Sequence, residues 1–201
     1  MPTRRHHFRL AKTCCLLAAC LVLPSQQVAA QDAPTLDQRY VKGLRERGLL
    51  ELAERTCRKR LDGDEKDVWT GELLRVLAER ALVAQPQERA QFWREAEQLA
   101  EQFSRENGDH PRAILIEIQL GLNHLARGQD LRIYADLVAA ADVQPALTAL
   151  ADSDRAFKQI DEKLQVMIAE AGTRRSGGLN RDDLFALQNK VVHDRSRIAQ
   201  Q

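Results

Sequence analysis

From Leu36 onward, apolar side chains recur every three to four residues, the spacing that gathers them on one face of an α-helix. Turn residues cut this pattern into separate rods. The first is predicted over 36–47, with Tyr40, Val41 and Leu44 on one face. Gly48 ends it, because glycine takes the left-handed capping conformation without strain. A second rod over 49–61 carries Leu50, Ala53, Cys57 and Leu61, and Asp62-Gly63 turns the chain. A third, over 64–84, opens on acids suited to a helix N-terminus and aligns Trp69, Leu73, Val76, Leu77 and Ala81. Pro86 sits where the first turn of a fourth helix tolerates it. That helix runs to Glu106 with Phe92, Ala96, Leu99, Ala100 and Phe103, and Asn107-Gly108 closes it.

The stretch after Pro111 is apolar nearly all round, and two periods compete in it. Ile114, Ile116, Ile118, Leu120 and Leu122 alternate as in a strand. The proline start, the length and the good helix formers further on favour a buried central helix ending at Gly128. A shorter helix follows over 131–141. A long helix to Ala171 begins either at Pro145 or at Asp152-Ser153, with Leu147, Leu150, Phe157, Ile160, Leu164 and Ile168 in its stripe. The loop 172–178 is basic and glycine-rich. Asn180 and Asp183 form a cap pair for a last helix, in which Leu184, Leu187, Val191 and Ile198 recur at near-heptad spacing. The two final helices predict an antiparallel hairpin. The fold class is therefore all-α, with a helical region over 31–142 and a C-terminal helical hairpin over 143–201.

Composition supports this reading. Of 201 residues, 29% are charged and only 4% aromatic, and Ala, Leu, Glu, Arg and Gln lose little rotamer freedom in a helix. The net charge of +1 hides an asymmetry. Arg4, Arg5, Arg9 and Lys12 precede every acid, so 30 bases less those four leaves 26 against 29 acids in 31–201. A mildly acidic body has no electrostatic reason to bind nucleic acid.

Those early bases belong to a segment with the three parts of a secretory signal: a basic start, an apolar run over 14–23, and small residues Val28-Ala29-Ala30 before a cleavage point. Cleavage between Ala30 and Gln31 is the preferred reading. The apolar run is shorter than the roughly 20 residues of a membrane-spanning helix. Leu17-Ala18-Ala19-Cys20 also resembles the lipobox of bacterial lipoproteins, which would lipidate Cys20, and an uncleaved anchor is a third alternative. Membrane association follows only from one of those two. With Cys14, Cys15 and Cys20 removed, Cys57 remains alone, so no internal disulfide forms in a compartment that permits oxidation. Among apolar helix positions Cys57 reads as a small buried hydrophobe. Exposed beside Arg58, Lys59 and Arg60, it would instead be reactive.

Residues 40–61 resemble a tetratricopeptide-type (TPR) unit: a first helix, Gly48 at the turn, Leu50 two later, Ala53 three beyond and Leu61 at the close. A second, weaker unit over 113–140 has Gly121 and Gly128 at the seven-residue spacing. The period is irregular and the terminal prolines are missing, so the resemblance is to a degenerate TPR-like repeat, with a generic helical bundle as the alternative. It implies a right-handed α-solenoid-like array of antiparallel hairpins and a surface for proteins or peptides, with no chemistry.

Searching for chemistry leads the same way. The sequence has no HExxH, GxSxG, phosphate-binding glycine loop or CxxC pair, so no enzyme, metal site or small-molecule cofactor is predicted. Asp62-Gly63-Asp64-Glu65-Lys66-Asp67 has Lys66 in a ligand place of a calcium loop and reads as an acidic helix start. His110, His124 and His193 are far apart in sequence. Arg174-Arg175 reads as solvated. Trp69, Trp93, Phe92 and Tyr134 are expected mostly in the core, or lining a groove as peptide anchors. The expected function is an exported helical-repeat scaffold that binds a protein or peptide in the periplasm or cell envelope. One alternative is a membrane-anchored structural protein oligomerising as a coiled coil through its C-terminal helices. The other is the front of a longer protein, since the chain stops at Gln201 without the polar capping helix that repeat arrays use.

Overall fold

The computed structural model describes residues 34–138, 142–171 and 178–200, and among them are seven helices and no strand. The signal segment, Cys20, the Ala30–Gln31 cleavage point and Arg174-Arg175 lie outside the described residues. Helix α1 (Leu36–Glu46) starts with a capping box. Thr35 Oγ1 accepts from the Gln38 amide at 3.3 Å, and Gln38 Oε1 accepts from the Thr35 amide at 2.8 Å. At its other end Gly48 has φ +73. The Leu49 amide reaches back to the Leu44 carbonyl at 2.9 Å, the six-to-one bond of a glycine-terminated helix. Helix α2 (Leu50–Arg58) stops before Leu61, which leaves the helix yet still packs on the core. Helix α3 (Lys66–Val83) begins after the acids Asp64 and Glu65. Pro86 is the first residue of α4 (Pro86–Asn107).

Helix α5 (Ala113–Leu137) corrects the sequence reading. Gly128 does not end it, and the segment placed in a separate helix over 131–141 continues the same rod to Leu137. Residues 113–137 are therefore one helix, not a two-helix unit. The physical reason is α6 (Gln144–Glu170), which lies alongside. Gly121 and Gly128, seven residues apart, share the face toward α6. A Cβ on Gly121 would lie 2.9 Å from the Phe157 ring, and one on Gly128 would lie 2.7 Å from the Leu150 side chain. The glycines thus mark a close helix–helix approach, whose packing outweighs their cost of about 1 kcal/mol each in a helix interior. Pro145 stands in the first turn of α6, while Ser153 is buried and donates to the Gly121 carbonyl at 3.0 Å rather than capping a helix. Leu147 departs from the expected stripe and is exposed.

The last helix, α7 (Arg181–Ile198), has the capping box the sequence announces. Asn180 Oδ1 accepts from the Asp183 amide, and Asp183 Oδ2 from the Asn180 amide, each at 2.8 Å. Its buried Leu184 and Val191 pack into a core shared with α5 and α6, so the stripe expected to drive a coiled coil is spent within the chain.

Successive helices pack on one another, and α3 also packs on α5. Neighbours run antiparallel. Arg60, just past α2, pairs with Asp37 at the start of α1. Lys66 at the start of α3 meets Glu106 at the end of α4 at 2.6 Å. Arg195 of α7 meets Asp154 of α6 at 2.7 Å, and Gln188 meets Asp161 at 2.8 Å. Odd-numbered helices consequently share one direction. Two large apolar clusters result. One joins α1 to α4 and the Ala113 and Ile116 side of α5. The other joins Ile114, Ile118 and Leu125 of α5 to α6 and α7. Each fully buried leucine or phenylalanine in them, such as Leu73, Leu77 or Phe157, contributes about 1.5–3 kcal/mol. Thr35–Gln201 forms one compact unit, with α5 and α6 packed together across the 142/143 division drawn from the sequence.

Candidate functional site

Polar contacts tie α1, α3 and α5 on one side and α2–α4 on the other, and the second set shapes a cleft. On the first side, Arg45 of α1 donates through Nε to Glu79 Oε2 at 3.0 Å and through Nη1 to Glu72 Oε2 at 3.2 Å. Arg75 continues from Glu72 to Gln119 Oε1 at 3.2 Å. Gln119 donates to Asn123 Oδ1, and Asn123 to the Leu74 carbonyl, each at 3.0 Å. These buried amides are satisfied and fix the register of α3 against α5.

On the second side, Glu54 of α2 accepts from Arg58 Nε at 2.8 Å and from Arg80 of α3, and Arg58 also pairs with Glu95 of α4. Burial alone would raise the Glu54 carboxyl. The hydrogen bonds from Arg58 and Arg80 outweigh it and hold the group below the usual carboxylate range. Arg80 is thereby fixed with its guanidinium 4.3 Å from the centre of the Phe92 ring, within cation–π range.

Phe92 and Arg80 form the inner wall of an open cleft of about 460 Å³, bounded by the α1–α2 turn, the end of α3 and the start of α4. Its apolar lining comes from Leu49, Leu50, Leu52, Val83 and Phe92, with Glu51 and Glu88 at the rim. Leu49 is 50% exposed, Leu52 40% and Val83 74%. Large apolar side chains so placed leave hydrocarbon in water beside a cavity that has no bulk of its own to cover it.

The residues of the TPR-type signature fall in different places. Gly48 and Leu50 line this cleft, Ala53 is fully buried between α2 and its neighbours, and Leu61 packs on the first core. Gly121 and Gly128 lie away from it, in the α5–α6 seam. Of the large rings, Trp69 and Trp93 are buried, Phe92 lines the cleft and Tyr134 is exposed. Leu49, Leu52 and Val83 escaped the sequence reading because they sit near helix ends, where a periodic stripe does not say which member is left uncovered. Arg80 carried no motif, and its two partners lie 26 and 12 positions away in sequence.

Cys57 is fully buried, and burial, reinforced by the charge of Glu72, pushes its thiol up to about 12, which removes the thiolate that reactivity needs. His124 is lowered by burial, against the attraction of Glu97 and Asp152. His110 Nδ1 accepts from the Arg112 amide at 3.3 Å, and its ring meets Phe103 edge-on. Among the described residues no three His, Cys, Asp or Glu side chains gather to hold a metal ion, and no helix is long and apolar enough to cross a membrane. No family model, curated protein or solved structure matches the chain.

Proposed function

We propose that this chain is an exported, non-catalytic helical-repeat scaffold that seats an apolar segment of a partner protein in the cleft between the α1–α2 turn and the α3–α4 junction. The observation that carries the reading is the exposure of Leu49, Leu52 and Val83 around a cleft walled by Phe92, whose lining arginine, Arg80, is already paired with Glu54. An Arg80 committed to Glu54 and Phe92 offers its hydrocarbon stem rather than a free charge. An incoming leucine or phenylalanine then covers exposed hydrocarbon without stranding a cation. The shared direction of α1, α3 and α5 supports an α-solenoid-like, TPR-like arrangement. Export rests on the basic, apolar and small-residue succession in 1–30.

The test places a photo-crosslinking residue at position 52 in producing cells, with position 185 on α7 as the control. A discrete crosslinked partner at 52 that disappears with Val83→Glu supports the reading. Equal products at 52 and 185, or none at 52, refute it. The mass of the mature N-terminus separates cleavage before Gln31 from lipidation at Cys20.

A further inference from the structure

A second cleft lies at the opposite end of the helices, where the α4–α5 turn meets the last turns of α6. It encloses about 670 Å³, within the range of sites that seat several side chains. Its floor is apolar: Pro111, Ile114, Met167 and Val166, the last 56% exposed. Its rim is acidic. Among the described lining residues Lys163 is the one lysine or arginine, with His110 the other basic side chain, and the Lys163 Nζ donates to both carboxylate oxygens of Glu117 at 2.6 and 2.8 Å. Asp109 and Glu162 also line the rim, and neither makes an ion pair among the described residues. The cleft therefore combines exposed hydrocarbon at Val166 with two carboxylates that make no direct ion pair among the described residues, Glu162 also feeling the charge of Arg195 on α7.

We propose that this cleft docks an amphipathic helical segment of a partner whose apolar face is flanked by lysine or arginine. The apolar floor takes the leucine-like side chains, as grooves do for amphipathic helices. Asp109 and Glu162 meet the flanking bases, setting the choice between basic and acidic partners more than the affinity itself. An acidic segment would bring like charges together over the same floor. This docking is independent of the cleft beside Arg80, because the two share no lining residue.

The test uses a fluorescein-labelled 14-residue amphipathic peptide of leucine and lysine, and its leucine/glutamate counterpart, titrated against the full protein by anisotropy. Saturable binding of the lysine peptide, with the glutamate peptide at least about tenfold weaker, is the expected result. Glu162→Lys and Val166→Ser, both at exposed positions, each weaken binding about tenfold. Leu52→Glu in the other cleft leaves it unchanged. Equal binding of the two peptides overturns the proposal, as does absence of saturable binding. Loss through Leu52→Glu but not through Val166→Ser also overturns it, because the peptide then sits beside Arg80, and the scaffold reading survives without this second site.

Discussion

Substituting Gly128 by alanine sets two effects of known sign against each other. Alanine in a helix interior is about 1 kcal/mol more favourable than glycine, so a continuous α5 would gain from the change if nothing stood nearby. The added Cβ would lie 2.7 Å from both Cγ and Cδ2 of Leu150 and 3.1 Å from its backbone nitrogen. Carbon atoms normally approach to about 3.5–4.0 Å, so α5 and α6 must move apart by several tenths of an ångström. Leu150 is buried and has no solvent to swing into. Overpacking of this kind costs about 1–3 kcal/mol, and involvement of the backbone nitrogen argues for the upper half of that range. The expected outcome is a net loss of about 1–2 kcal/mol, or a fall in Tm of about 3–8 °C for a domain of this size. Urea unfolding followed by circular dichroism measures it. Gly43→Ala on α1 is the reference, because its Cβ meets nothing nearer than the Arg47 guanidinium at 4.0 Å and should stabilise by up to about 1 kcal/mol. In a Leu150→Ala background the two side-chain contacts are gone and only the backbone nitrogen at 3.1 Å remains, so most of the Gly128→Ala penalty should disappear, a coupling of about 1–2 kcal/mol. A Gly128→Ala protein as stable as the parent, or a penalty that persists unchanged beside Ala at 150, would refute the close-approach argument.

Two further outcomes follow from buried titratable groups. Cys57 should resist thiol reagents at pH 8 until urea unfolds the protein. Labelling of the native chain at the rate of a free cysteine would contradict its burial. Since its folded pKa is raised above the unfolded value, its contribution to stability is complete below about pH 9 and declines as pH rises toward 12, an alkaline loss that Cys57→Ala should reduce. His124 has the opposite linkage. Its folded pKa is lowered, so the unfolded chain binds the proton first, and stability falls as pH drops below 6.5. Urea midpoints at pH 7.5 and 5.5 should differ less in His124→Gln than in the parent, and an unaltered difference would remove His124 from the acid limb.

Local signals in the sequence were reliable where one residue decides a backbone conformation. Gly48, Pro86 and the Asn180–Asp183 pair mark their helix ends because capping is settled within a few residues. The all-α class follows from the same patterning. The central helix reads as a helix, but its strand-like alternation and its false end at Gly128 both arise from neighbours that are distant in sequence. Ile114 and Ile118 face α6 and α7, while Ala113 and Ile116 face α3 and α4. A helix buried on two opposite sides carries apolar residues at nearly every second position, which imitates a strand. Gly128 imitated a turn because a glycine selected for close approach looks the same, in sequence, as one selected for a left-handed cap. The clefts were least legible of all. Leu52 and Val83 differ from buried leucines and valines only in what fails to cover them, and Arg80 depends on partners in two other helices, α2 and α4.

Helix α5 is the one element with residues in both large apolar clusters, and this should govern how the molecule comes apart. An opening of α1 and α2 exposes only part of the first cluster and leaves the α5–α6–α7 side standing, whereas loosening α5 releases both at once. Amide hydrogen exchange should therefore be slowest in the middle of α5, around Ile116 to Leu125, and faster toward α1. The molecule should thus loosen at its α1 edge while its central rod stays shut, a gradient of local opening in the sense of graded unfolding units.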